Sequence, residues 1–220
     1  MSLRLLFLDE LRGYAKSKVM IVLWFGLPLL SFLLQFIDPG QLEGMPISFL
    51  VSLVVSSIGG TLSAIMLSTS IVSEKIHHVY ELFLIRPVKR SSLILAKFLA
   101  VYSCLVIAVS ISLIVGLIID GFTGDLSEMY LNMTFDSLII GISSMAITCS
   151  IGIFFGVLVS SVPVAAILSV YLGSQLSSLI ILPTFFIEVL DPVLLALTLG
   201  ITLTTIIMSL NLFLFSRKQF

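Results

Sequence analysis

The stretch Ser73–Phe98, SEKIHHVYELFLIRPVKRSSLILAKF, decides how this chain is read. It holds five of the eleven basic residues and both histidines, in a chain that is 59% hydrophobic. On either side the sequence returns to long apolar runs. Only 10% of the 220 residues are charged and the mean hydropathy is +1.24, where a soluble domain carries about 25% charged residues. No soluble fold of this length hides so much apolar surface. The chain therefore reads as an all-α integral membrane protein, because its uncharged runs are far longer than barrel strands.

Six runs reach the ~20 helical residues that a bilayer core requires: 19–37, 47–72, 98–119, 137–160, 164–187 and 193–215. Ser161-Val162-Pro163 separates the fourth from the fifth, since fusing them would need an apolar helix of about 50 residues. Eighteen mixed residues precede the first run and no small-residue cleavage pattern ends it, so it is expected to remain as a span. Six spans divide the charges cleanly. One side has eleven basic and four acidic residues; the other has eight acidic and no basic ones. The positive-inside rule then places both termini and segment 73–97 in the cytoplasm. The expected architecture is a single transmembrane domain, 1–220, of six helices. An amphipathic interfacial helix over 2–18 precedes them, with Leu3, Leu6, Phe7, Leu11 and Tyr14 on its apolar face and Arg4, Asp9, Glu10 and Arg12 between. Pro28 and Pro183 are expected to kink or break their spans.

The span interiors contain no Asp, Glu, Lys, Arg or His. A mid-membrane charge costs at least ~2.5–3.5 kcal/mol and is kept for proton or ion pathways. Its absence argues against a proton-coupled transporter. No P-loop, H-E-x-x-H or G-x-S-x-G motif is present, so no catalytic residue is expected. Adjacent His77 and His78 point about 100° apart on a helix and make a poor metal site. Cys104 and Cys149 lie inside apolar runs and read as packing residues. Asn132-Met133-Thr134 matches a glycosylation acceptor pattern, which chance alone explains. Small residues line several helix faces: Ser52, Ser56, Gly60 and Ser63 in the second run, and Ser169, Gly173 and Ser177 in the fifth. Close helix packing accounts for them, and a path for an apolar or amphipathic solute is the alternative.

Within 73–98, Ile76, Val79, Tyr80, Phe83 and Leu84 recur at helical spacing. Pro87 should end that helix, and Ser91 or Ser92 should cap the next. Charge alone leaves this an interfacial helix meeting lipid headgroups. The spacing says more. Glu74, then Glu81-Leu82 and Leu84 seven residues on, then Pro87-Val88, Arg90 and Lys97 together resemble the segment between spans two and three of ABC type-2 permeases, the membrane subunits of ATP-driven exporters. The resemblance extends over the whole chain in its entry helix and span order. It departs at His78-Val79, where the family often has Gly-Thr.

The resemblance implies a permease that pairs with a second permease subunit, as a homodimer or heterodimer. It also implies docking of a cytoplasmic ATPase, through which ATP and Mg act; the chain itself binds no cofactor. Glu74, Glu81, Pro87, Arg90 and Lys97 carry over as residues coupling the two subunits, with Glu81 holding the segment, Pro87 setting its turn, and Arg90 and Lys97 anchoring it. A haem-export branch of the family has similar length, but no haem-specific residue stands out. No nucleic-acid partner is expected; the lipid bilayer is. A membrane scaffold that docks a partner without transport stays open, as does, more weakly, a membrane enzyme using interfacial polar groups.

Overall fold

The computed structural model describes residues 3–34, 47–77, 90–123, 128–186 and 191–217. All of the secondary structure there is helical: α1 (Leu3–Ala15), α2 (Lys18–Leu34), α3 (Ile47–Ile76), α4 (Arg90–Thr123), α5 (Glu128–Leu158), α6 (Val162–Phe186) and α7 (Pro192–Arg217). The chain is a multi-pass, membrane-embedded, all-helical protein, consistent with a cell-membrane location.

The count of six spans does not hold. Among the described residues, four helices are long and apolar enough to cross a membrane: Ser48–Ile76, Ser91–Phe122, Leu131–Leu158 and Pro192–Arg217. The number rises to five if α1 and α2 together form one bent span. The reason is geometric. α2 has 17 residues, about 26 Å at 1.5 Å per residue, against a core of about 30 Å. A 67° bend separates it from α1, so α1 does not extend it in a straight line. Ser17 makes that corner by capping α2, its Oγ accepting the Met20 N–H at 3.2 Å. In α6 the apolar stretch Val162–Ser178 is also below span length. With the count goes the parity argument that placed both termini on one side. The break near Ser161 falls where expected, between the end of α5 and the start of α6. α2 continues as helix through Pro28. Hydroxyls of Ser31 and Ser112 donate to the Leu27 carbonyl beside it, at 3.1 and 2.9 Å.

The helices overrun their expected limits. α4 has 34 residues, about 51 Å, so Lys97 and Asp120 lie on the helix near its ends rather than in loops. α3 and α5 form the spine, with the most extensive contact of any pair. They run parallel: Ser48 pairs with Thr134, Ser52 with Ser137 and Ser63 with Cys149, at nearly constant sequence separation. Small residues let the backbones close. A Cβ on Gly152 would lie 2.6 Å from the Ala64 carbonyl oxygen, and one on Gly60 2.8 Å from Thr148 Oγ1. α4 runs antiparallel to α3, α2 packs along α4, and α6 and α7 close the other flank of α5. Cys104 and Cys149 are free thiols, both buried.

The bundle has two chemically distinct ends. At one, Asp120 is buried and its Oδ2 accepts the Ser48 N–H at 2.9 Å, placing a carboxylate on the positive N-terminus of α3. Thr134, the hydroxyl residue of the glycosylation pattern, is buried there against Ser48. The opposite end carries Glu10, Glu74, Lys75 and Lys97.

Candidate functional site: a buried lysine junction at the basic end

Three helices meet at Lys97. Its side chain is 4% exposed although it carries a full charge. Burying an unpaired ammonium costs several kcal/mol, so the site must supply counter-charge. It supplies two carboxylates: Glu10 of α1 at 2.9 Å and Glu74 of α3 at 2.6 Å. The ammonium also lies 5.7 Å from the centroid of the Tyr14 ring, within cation–π range. Ser70 Oγ donates to Glu74 Oε1 at 3.2 Å. That hydroxyl proton being committed, Tyr14 donates its own to Ser70 Oγ at 3.3 Å. A directed chain Tyr14 → Ser70 → Glu74 thus ends on the carboxylate that Lys97 shares. One ammonium thus serves two carboxyl groups.

The adjacent residue is tied in another direction. Lys75 Nζ donates to the carbonyls of Val157 at 2.9 Å and Val159 at 2.8 Å. Val157 is in the last turn of α5 and Val159 just past it, so the ammonium sits at the helix's negative dipole end. The end of α3 is therefore held on one side by α1 and α4 through Glu74, and on the other by α5 through Lys75. A cleft of about 560 Å³ opens beside the junction, lined among others by Glu10, Tyr14, Ser70, Glu74, Lys97 and Val162.

Of the five residues assigned to coupling, Glu74 and Lys97 come together. They are 23 positions apart and stand at the two ends of the 78–89 segment, Glu74 just before it and Lys97 two turns into α4. Glu81, Pro87 and the predicted helix ending at Pro87 lie outside the described residues, as does the side chain of Arg90, whose backbone begins α4. Of the small-residue faces, Ser52, Ser56, Gly60 and Ser63 are buried against α5. Ser169 bonds Ser68 at 3.1 Å, Gly173 lies beside Thr148, and Ser177 donates to the Ser174 carbonyl in its own helix.

Sequence reasoning missed Glu10 and Tyr14 as members of the site. Glu10 reads as part of the polar face of α1, yet it points inward with Leu6 and Tyr14 at spacings of four. A carboxylate in register with two buried residues was the available signal. It needed a partner 87 residues away to be decisive.

No protein-family model matches the chain, and no curated protein matches it.

Proposed function

We propose that this chain is the membrane-spanning permease subunit of an ATP-driven exporter. In this reading a separate cytoplasmic ATPase docks on the segment between Glu74 and Lys97 and drives outward movement of an apolar or amphipathic solute. The chain has no nucleotide-binding motif and acts by transmitting work rather than by catalysis. The single observation that carries the reading is the Lys97 junction. A loop needed only for connection has no use for a buried ion-paired cation where it re-enters the bundle. Here both ends of the segment are fastened to one charge, and that charge also holds α1. A displacement of the segment would move α1, α3 and α4 together. The spacing of Glu74, Glu81, Pro87, Arg90 and Lys97 supports the same reading through its resemblance to ABC type-2 permeases.

The test is purification of the tagged chain from its native membranes in mild detergent, followed by reconstitution into vesicles. The expected result is a co-purifying ATPase and ATP-dependent loss of an amphipathic dye from the compartment holding the ATPase. A scaffold would bring down a partner and move nothing. A preparation with an intact helical bundle and no ATPase contradicts the proposal.

A further inference from the structure

The cleft beside the Lys97 junction changes character along its length. Its volume of about 560 Å³ is that of a small-molecule site. The α3 wall begins at Glu74, Ser73 and Ser70 and ends at Met66, about 12 Å along the helix at 1.5 Å per residue. Thr69, between them, donates its hydroxyl to the Ile65 carbonyl of its own helix at 2.8 Å. The wall therefore turns from polar to apolar, and Val19 and Val162 add to the apolar lining. At the polar end, Glu10 and Glu74 each give Oε1 to Lys97. The second oxygen of each has no hydrogen-bond partner among the described residues, and the two side chains are 21% and 23% exposed. This end of the cleft offers acceptors and wants a donor. Lys97 is buried and already shared by two carboxyl groups, so an anionic headgroup finds no cation there to meet it.

We infer that this cleft binds an amphipathic amine, its ammonium group on the second oxygens of Glu10 and Glu74 and its apolar body against Met66, Val19 and Val162. Two carboxyl groups that meet at one nitrogen stand close enough for a second ammonium to reach both. An ammonium brings three donors, where a hydroxyl headgroup brings one. Hydrogen bonds from a charged donor to a carboxylate are also the stronger kind. Ethanolamine-headed phospholipids carry this chemistry, and so do free alkyl amines. Binding at the cleft needs no ATPase. That an amine is also the solute moved rests on the exporter reading above. Failure to bind amines would leave that reading with another solute, and absence of an ATPase would leave the site.

The experiment uses the full chain in phosphatidylcholine nanodiscs, whose lipid has no N–H to donate. The probe is dodecylamine with a photoactivatable diazirine on its tail, and the matching dodecanol is the control. Labelled residues are located by mass spectrometry. Labelling is expected at Met66, Val19 and Val162, on the order of tenfold stronger for the amine than for the alcohol. The triple change Lys97→Met, Glu10→Gln, Glu74→Gln should abolish that preference. Met66→Trp fills the apolar part of the cleft without touching a charge and should cut amine labelling of Val19 and Val162; it keeps the site testable if the triple variant does not fold. Nanodiscs containing phosphatidylethanolamine separate the two sources. Competition with the probe makes the lipid headgroup the occupant, and its absence makes it a free amine; either supports the site. Equal labelling by amine and alcohol would overturn the inference. So would a preference for the amine that survives loss of both glutamates.

Discussion

At the scale of single residues, Lys97 is the most informative side chain. A membrane protein keeps a buried charge only where every member of the group has a partner. Lys97→Met should strand Glu10 and Glu74 together and cost about 3–5 kcal/mol, read as a large fall in thermal unfolding midpoint in detergent. The triple change Lys97→Met, Glu10→Gln, Glu74→Gln removes the charges as a set and should recover most of that loss. If the single and triple variants unfold alike, the three do not act as a unit. Lys75→Met should be milder, about 1 kcal/mol, since it removes hydrogen bonds to backbone carbonyls and strands no buried charge. The same melting experiment checks it.

At the scale of elements, the α3–α5 seam is set by what its glycines lack. Gly152→Ala would put a methyl 2.6 Å from the Ala64 carbonyl oxygen and 2.7 Å from its Cα. Backbone cannot turn aside as a flexible side chain can, so the helices must part. The expected loss is about 1–3 kcal/mol, measured as a lower midpoint and weaker expression. Gly13→Ala in α1 is the contrast. A Cβ there meets nothing within 4 Å, and alanine's helix propensity should make it neutral or stabilising by about 0.5–1 kcal/mol. Much of this level was legible in the sequence. Apolar runs, the turn near Ser161 and the inward faces with Ser52, Ser56 and Gly60 are local signals, carried by periodicity within one helix. What was not legible depends on how helices end and meet. α2 begins only at Lys18 because the chain turns 67° between α1 and α2, and run length does not encode a bend. Glu10 faces inward because Lys97 is there, a fact shared between two distant helices.

At the scale of the whole molecule, the bundle has two chemically distinct ends. Asp120, buried at the start of α3, marks one; the lysine junction marks the other. The seam between α3 and α5 runs from end to end as a close-packed spine, so a displacement at the junction has a stiff element to act on. The central claim is that the junction transmits work and does more than hold the fold. The triple variant separates these roles, because it is expected to be stable while lacking the charged tie. The decisive measurement is ATP hydrolysis and ATP-dependent solute movement by the complex purified from native membranes, wild type against the triple variant. The account predicts that the triple variant assembles normally but loses solute movement at least tenfold. Movement at the wild-type rate with the charges gone would contradict it.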